Sequence, residues 1–210
     1  MSSTARENIL KKIKQALEKP VPVPFPSSEK LQPLFTAPEQ DNELLFAENF
    51  SKLQGRFSFC ANEKELVQQL QSLISAREWT KIYCRETELK SRLSANGFST
   101  VYTDDVAGCD ASVTGCESLV ARTGSMVLSS AQQSGRTVSV YAPVHICIAY
   151  TSQLVYDISD SLMQVRENYG QQFPSVVTLA TGPSRTADIE KTLVVGVHGP
   201  KEVFCFLVDS

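Results

Sequence analysis

The chain has 210 residues, enough for one domain with a hydrophobic core and an appended segment. Apolar residues make up 42% of it and charged residues 20%, which are ordinary values for a globular protein. The net charge of −3 argues against a general nucleic-acid-binding protein, which would carry a basic excess, but is compatible with a local basic pocket.

The first predicted element is an amphipathic helix. Thr4 and Glu7 have the spacing of a capping box, and Pro20 ends the helix. The apolar residues on its one face are Ile9, Leu10, Ile13, Ala16 and Leu17. We expect this helix either to dock on the chain's own core, which is the simpler interpretation, or to bind another subunit.

A proline-rich segment follows this helix. Residues 19–38 hold six of the ten prolines, a composition typical of an extended, semi-rigid linker. We therefore divide the chain into an N-terminal helix and linker over residues 1–38 and an α/β domain over residues 39–210.

Helical and strand patterns alternate in the first half of that domain. Helices are predicted at 39–55, 62–79 and 86–97, and strands at 57–60, 81–84 and 99–103. Further strands are predicted at 111–115, 125–130, 137–142, 144–150, 175–180, 191–197 and 203–209, with one long helix at 152–170. The alternation predicts helices on the faces of a sheet, and the short later links imply some antiparallel pairing. The expected fold class is therefore α/β, a three-layer α/β/α sandwich with a mixed sheet.

The six cysteines are scattered and form no C-x-x-C pair. Four fall in strand-like runs, where a thiol is usually a small buried apolar group: Cys60, Cys84, Cys147 and Cys205. Cys109 and Cys116 are close in sequence but lack the spacing of a metal site. No run reaches the roughly 18 apolar residues of a membrane span, and the N-terminus has no apolar signal core. We therefore expect a reduced, cytoplasmic protein with no metal site of its own.

The turn 122–125 is the first candidate for a binding loop. Gly124 permits a positive φ and a close backbone approach, Thr123 and Ser125 add hydroxyls, and Arg122 adds a cation. Such a set of donors suits an anion. A plain turn with an exposed arginine explains the same residues equally well.

A second loop, 133–136, lies between two predicted strands and is expected to be a hairpin turn. His145 follows within a strand. A buried structural role is favoured for it over a role as ligand or base, because no neighbouring residue would tune its titration.

The third loop, "TGPSRTADIE" (181–190), is expected to run from a strand end into a short helix. Ser184 or Thr186 would cap that helix, and Asp188 and Glu190 would complement its dipole. Arg185 could grip a carboxylate or phosphate in this position, or could simply pair with Asp188.

"GVHGP" (196–200) places His198 between two glycines at the end of a predicted strand. A histidine flanked by small residues in a turn is accessible to a ligand, so a functional role is favoured for it.

Three stretches together resemble the lactate utilization proteins, and specifically the family called lactate utilization protein C, which has a LUD domain. They are "GCESLVARTGSMVLSS", "APVHICIAYTSQLVYDI" and "TGPSRTADIEKTLVVGVHGPKEVFCFLVD". The resemblance covers roughly residues 40–210. One departure is at Arg122, where the commoner family pattern A-E-T-G-T has an acid.

The resemblance implies a fold like that of the sugar-phosphate isomerase and CoA-transferase superfamily (NagB/RpiA/CoA transferase-like). It also implies a role in oxidising L-lactate to pyruvate beside iron–sulfur subunits. That oxidation needs an electron carrier, and this chain has neither a G-x-G-x-x-G loop nor a cysteine cluster. We therefore expect no cofactor in this chain and an accessory role for it. The resemblance implies that the iron–sulfur clusters lie in partner subunits, and the chain could itself form an oligomer.

In the leading hypothesis a small carboxylate or other anion binds in a crevice near the C-terminus, and His198 accepts the hydroxyl proton. The residues expected to line that crevice are Thr123, Gly124, Ser125, Gly182, Ser184, Arg185, Thr186 and Asp188. Two alternatives remain open. One is an isomerase or acyl/CoA-transferase-like enzyme with Glu117 or Glu190 as nucleophile or base. The other is a non-catalytic scaffold. The sequence leaves open whether the chain is an enzyme.

Overall fold

The computed structural model describes residues 4–18, 40–189 and 192–209. The predicted linker lies outside these ranges, as does Glu190. The chain divides into two compact units, residues 1–37 and 38–210.

The first unit contains helix α1, Ala5–Leu17. Thr4 Oγ1 accepts the Glu7 backbone N–H at 3.4 Å, and the Glu7 carboxylate accepts the Thr4 N–H at 2.8 Å. The predicted capping box is therefore confirmed. The apolar side chains of α1 are exposed, and the exposed fraction of Leu17 is 75%.

The described part of the second unit contains helices and strands in alternation. The helices are α2 Asn42–Lys52, α3 Glu63–Ala76, α4 Thr87–Ala95, α5 Val138–Tyr141 and α6 Ile158–Tyr169. The strands are β1 Arg56–Cys60, β2 Ile82–Tyr83, β3 Ala111–Thr114, β4 Ser118–Val120, β5 Ser125–Ser129, β6 Val144–Tyr150, β7 Leu154–Val155, β8 Val177–Ala180, β9 Arg185–Ile189, β10 Thr192–Val195 and β11 Glu202–Val208.

Five strands form a parallel central sheet in the order β1-β11-β6-β3-β2. The middle strands β6 and β11 are apolar almost throughout, as expected of strands covered on both faces. Successive side chains point to opposite faces. Ile146 and Ile148 of β6 therefore belong to one core cluster, while Cys147 and Ala149 belong to the other.

Helices α3 and α4 cover the first face of this sheet. Leu66 and Leu70 of α3, and Leu89 and Leu93 of α4, are buried against alternate residues of the central strands. Each helix connects two parallel strands, which is the arrangement that a parallel sheet requires.

The second face is covered by α2 and by a four-stranded sheet in the order β7-β4-β5-β8. Leu119 and Met126 of this smaller sheet are fully buried in the second core cluster. Helix α6 contacts β4, where Ser118 Oγ lies 2.6 Å from Ser161 Oγ. The α/β fold class is confirmed. The parallel pairs of the central sheet and the antiparallel pairs of β4, β5 and β8 lie in two separate sheets.

The predicted strand at 137–142 was wrong, and so was the hairpin expected at 133–136. Residues Val138–Tyr141 form the single helical turn α5. Both edges of β5 are already paired, with β4 and with β8, so no edge is left for a following hairpin strand. The chain returns instead to the central sheet, where β6 pairs with β3 and β11 in parallel.

Two further predictions differ from the structure in extent. The long helix expected at 152–170 begins only at Ile158, because Asp157 caps it and Leu154–Val155 pairs with β4 as β7. The strand expected at 99–103 is reduced to one bridge between Tyr102 and Ile82.

Candidate functional site

The candidate residues divide between the two ends of the central sheet. Because its strands are parallel, their carboxyl ends share one edge and their amino ends the other. Glu117 follows β3 at the carboxyl edge, and His198 precedes β11 at the amino edge. A seven-residue strand such as β6 separates these edges by about 20 Å at ~3.3 Å per residue. Glu117 and His198 therefore cannot act on one small ligand.

The turn 122–125 lies beneath the C-terminal half of α2. Gly124 has a φ of +62°, and a Cβ there would stand 2.5 Å from the Phe50 backbone nitrogen. Asn49 Nδ2 donates to the carbonyl oxygens of Ala121 and Arg122 at 3.0 and 3.1 Å. The close approach of α2 therefore explains why a glycine occupies position 124. The predicted contact of Gly124 with a ligand stays a prediction.

The hydroxyls of this turn are bonded to one another. Thr123 Oγ1 lies 2.7 Å from Ser125 Oγ, which lies 2.8 Å from Thr181 Oγ1. Sequence reasoning missed Thr181, although it directly precedes the predicted Gly-Pro turn. These three hydroxyls, here called the hydroxyl cluster, join the first and third candidate loops.

Arg122 has a structural partner in α6. Its guanidinium lies 2.9 Å from Asp157 Oδ1, and Asp157 is the N-cap of α6. This hydrogen bond from Arg122 is the main cause that lowers the pKa of the Asp157 carboxyl below its ordinary value.

The third loop forms a strand, contrary to the predicted capped helix. Arg185 lies in register with Val195, and Thr186 with Val194, in the antiparallel pair β9–β10. The capping roles expected of Ser184 and Thr186 are therefore wrong, as is the dipole role expected of Asp188. Asp188 lies in β9, and its side chain is outside the described residues. The loop also follows β8 of the smaller sheet, so it does not lie at a carboxyl end of the central sheet.

Arg185 reaches the end of α2. Its guanidinium donates to the Leu53 carbonyl oxygen, and a Cβ on Gly182 would stand 2.5 Å from that same oxygen. The side chain is otherwise exposed. The structure therefore places Arg185 beside the Gly182 turn and against the C-terminal end of α2.

The turn that carries His198 packs against Ser184. The Ser184 N–H donates to the Pro200 carbonyl at 2.9 Å, and the Gly196 N–H donates to the Ser184 carbonyl at 2.9 Å. A Cβ on Gly199 would stand 2.9 Å from the Ser184 Cβ. The third loop and the histidine turn are thus one local unit at the amino edge.

His198 lines a cleft of about 720 Å³ at this amino edge. We call it the amino-edge cleft. Its walls come from the loop before β3, from the segment around α5, and from the turn before β11. The lining residues are Ala107, Gly108, Cys109, Val140, Tyr141, Ala142, Pro143, Gly196, Val197, His198, Gly199 and Lys201.

The described lining of this cleft carries basic side chains and no carboxylate. Lys201 is held in place, because its backbone N–H donates to Pro143 at 2.8 Å and its stem covers Gly196. The nearby Asp105 carboxylate accepts the N–H groups of Ala107 and Gly108, both at 3.1 Å. His198 and Lys201 are both exposed to solvent.

A second cleft, of about 560 Å³, lies at the carboxyl edge. The Glu86 carboxylate joins two segments beside this cleft. It accepts hydrogen bonds from the Gly115 N–H at 2.9 Å and from the Ser134 hydroxyl at 2.7 Å. The guanidinium carbon of Arg92 lies 4.4 Å from the centre of the Tyr150 ring. Sequence reasoning missed these residues, although Gly115 directly follows β3 and Glu86 lies three residues after β2, at the edge where α/β folds commonly bind ligands.

Glu117 is bound by the protein's own hydroxyls. Its Oε1 accepts hydrogen bonds from Ser129 at 2.5 Å and from Tyr169 at 2.9 Å. The described lining of the carboxyl-edge cleft does not include it. Its role as a nucleophile or base stays a prediction.

His145 is buried between the sheets, as its position within a strand suggested. Its Nε2 lies 2.8 Å from Thr114 Oγ1, and that hydroxyl donates to the Gly115 carbonyl. The imidazole therefore donates its Nε2 proton. Burial lowers its pKa from 6.5 to about 4, so it is neutral at physiological pH.

All six cysteines are buried and free. Cys147 is hydrogen-bonded to Cys116 and Cys205. The bond to Cys147 and burial together raise the pKa of the Cys116 thiol well above its ordinary value. Such protonated thiols are poor nucleophiles and poor metal ligands.

Within residues 4–18, 40–189 and 192–209, no group of three or more His, Cys, Asp or Glu side chains is placed to hold a metal ion. Over those same ranges, no helix has both the length and the apolar character needed to cross a membrane.

Comparison with known proteins shows which family and fold these features match. The profile of the family described as LUD domain matches residues 44–208. An uncharacterized protein of Neisseria meningitidis serogroup B is 36% identical over 101 residues, which are 48% of this chain and 43% of the relative. Lactate utilization protein C of Bacillus subtilis is 38% identical over 100 residues, 47% of this chain and 42% of the relative. Each match thus spans less than half of the relative's length.

A solved structure has a similar fold. The crystal structure of a DUF162 family protein from Deinococcus radiodurans superposes with a TM-score of 0.59, over 80% of this chain and 96% of the other. The two are 17% identical in sequence, so the comparison supports the fold alone.

Proposed function

Because the chain belongs to the LUD domain family, we propose that it takes part in lactate utilization by binding a small organic acid in the amino-edge cleft. The family supplies the metabolic context, through relatives named lactate utilization protein C. The observation that carries the choice of cleft is the pair of basic side chains, His198 and Lys201, in a described lining without acids.

The chemistry of the cleft suits a carboxylate with a short apolar tail. The ammonium group of Lys201 and the imidazole of His198 offer donors to carboxylate oxygens. Val140 and Val197 are partly exposed there and offer an apolar surface to a methyl group. L-lactate has both parts. While one ring nitrogen of His198 donates to the carboxylate, the other would accept the proton of the lactate hydroxyl.

In this proposal, other polypeptides accept the electrons that lactate oxidation releases. Conversion of lactate to pyruvate releases two electrons and two protons, which need a carrier. The thiols of this chain are buried in its core, and the family resemblance implies that partner subunits carry iron–sulfur clusters. In this proposal the chain is an accessory subunit that holds the acid while a partner accepts the electrons.

The alternative of an isomerase or acyl/CoA-transferase-like enzyme receives less support from the geometry. Its candidate carboxylate, Glu117, already accepts two hydrogen bonds from the protein through Oε1. Glu86 of the carboxyl-edge cleft accepts one hydrogen bond at each of its oxygens.

Calorimetric titration of the full chain with L-lactate and pyruvate tests the proposal. Binding that is lost in both His198→Asn and Lys201→Met supports it. Binding that survives both changes but is lost in Arg185→Ala would move the ligand to the hydroxyl cluster. Absence of binding to any small carboxylate would refute the proposal.

A further inference from the structure

An open groove lies beside β1, the edge strand of the central sheet. Its volume is about 370 Å³, and it runs between the start of α2 and the end of β1. We call it the β1 groove. Its lining residues are Asp41, Glu43, Leu44, Ala47, Phe57, Phe59, Thr151 and Asp209.

The floor of the β1 groove is apolar and its rim is acidic. Leu44 is 58% exposed and Phe59 is 46% exposed, which are high values for large apolar side chains in a folded domain. Three carboxylates surround them, and no described lining residue is basic. An apolar floor within an acidic rim fits a partner that is apolar on one side and basic on the other.

Helix α1 has that chemistry. Ile9, Ile13 and Leu17 repeat every four residues, so they form one stripe along the helix. Their exposed fractions are 59%, 50% and 75%. The helix carries four basic residues and one acidic residue, a net charge of +3. Since the whole chain has a net charge of −3, the remainder carries −6.

We propose that α1 of one molecule docks in the β1 groove of a second copy of this chain. This is the helix-in-groove mode, in which apolar residues spaced by three and four positions fill a hydrophobic groove. The lysines of α1 then face the carboxylates of the rim. If each molecule places its α1 in the groove of the other, the two contacts form a dimer with twofold symmetry. Twofold dimers are the commonest soluble oligomers.

The position of the groove favours a second copy over the same chain. Asp41, the N-cap of α2, is itself part of the groove. For residues 19–38, which lie outside the described ranges, the composition predicts a stiff, extended linker. A linker with that property would carry α1 to a neighbouring molecule more readily than back to its own starting point.

Complementation by paired variants tests this inference. The first variant, Lys11→Glu with Lys14→Glu, reverses charges on α1. The second, Glu43→Lys with Leu44→Lys, changes the groove at exposed or half-buried positions. Lys64→Glu with Lys81→Glu is the matched control for the first variant, because it lowers the net charge by the same amount at exposed sites on the body. Circular dichroism confirms that each protein is folded.

Light scattering measures the molar mass of each protein, and analytical ultracentrifugation measures the strength of its self-association. We expect the wild type and the control to reach twice the 23.1 kDa monomer mass. Each test variant alone should associate at least about tenfold more weakly. An equimolar mixture of the two variants should recover association, because each mixed dimer retains one intact helix and one intact groove. High salt should weaken all of these contacts.

Several results would overturn the inference. A wild-type chain that stays monomeric at all concentrations would do so, as would a dimer that both variants leave intact. Variants that fail to complement on mixing would show that α1 acts within its own chain. Binding of the wild type to anionic vesicles without self-association would assign α1 to a lipid surface.

Discussion

The Arg122 guanidinium and the Asp157 carboxylate lie 2.9 Å apart and join the turn before β5 to the first residue of α6. Both side chains are largely shielded, with exposed fractions of 24% and 22%. Asp157 Oδ1 also accepts the Ile158 N–H at 2.5 Å. The basic residue that departs from the common family pattern therefore stabilises a helix start.

We expect Arg122→Glu to lower the free energy of unfolding by about 1–3 kcal/mol, because it removes the pair and places two carboxylates together. Urea denaturation at neutral pH measures the loss, with Arg85→Glu at an exposed position as control. The pKa of Asp157 is lowered in the folded state, so the pair stabilises the fold above the ordinary carboxyl pKa of 3.8. As pH falls through the lowered pKa, the difference from wild type should shrink. An undiminished difference in acid would contradict this account.

Gly124→Ala should destabilise the fold more than Gly135→Ala. Both glycines have a positive φ, +62° and +63°, so the conformational cost of a side chain is the same. A Cβ on Gly124 meets the Phe50 backbone, whereas a Cβ on Gly135 meets nothing within 4 Å. We expect a loss of about 1 kcal/mol at Gly135 and at least about twice that at Gly124. If urea denaturation gave equal losses in the free energy of unfolding for both variants, α2 would have to shift away from a Cβ at position 124 without destabilising the fold.

His145 should make stability depend on pH. Its folded pKa of about 4 lies below its ordinary value of 6.5, so the unfolded chain binds the proton more tightly. Stability is fully present above pH 6.5 and falls as pH drops toward 4, by up to about 3 kcal/mol. His145→Gln should flatten that part of the profile. Denaturation midpoints at several pH values compare the two, and parallel profiles would count against the buried neutral imidazole.

Removal of either basic group from the amino-edge cleft should weaken binding of a small carboxylate. We expect Lys201→Met and His198→Asn each to raise the Kd for L-lactate at least about tenfold, because a charge-assisted hydrogen bond is lost. Lys81→Met, at an exposed position outside the cleft, is the matched control for the loss of a lysine. Calorimetry measures the affinity, and because both target side chains are exposed, neither change should alter the fold.

Local patterns predicted most of the fold. The apolar run 203–209 was predicted as a strand, and the structure confirms it as β11, with Phe204 and Phe206 in one core cluster and Cys205 and Leu207 in the other. The capping box at Thr4 and the helix start predicted at residue 62 also mark true helix starts. These elements follow from interactions between residues close in sequence, which a sequence displays directly.

Other features depend on contacts between distant residues. The stretch 137–142 alternates like a strand, yet β5 has no vacant edge for it. The packing of α2 on Gly124 and Gly182 joins segments more than seventy residues apart. The amino-edge cleft likewise takes its walls from three separate segments. Only His198 of that cleft was recognised from the sequence, because its glycine neighbours stood out locally.

The pairing of β1 with β11 has a consequence for biosynthesis. Every register contact of β1 in the central sheet is with residues Phe204–Val208. A nascent chain therefore cannot pair β1 within this sheet on the ribosome until β11 has emerged. Until then β1 has no partner strand there, and this chain should depend on chaperones during translation more than a protein whose neighbouring strands pair in order.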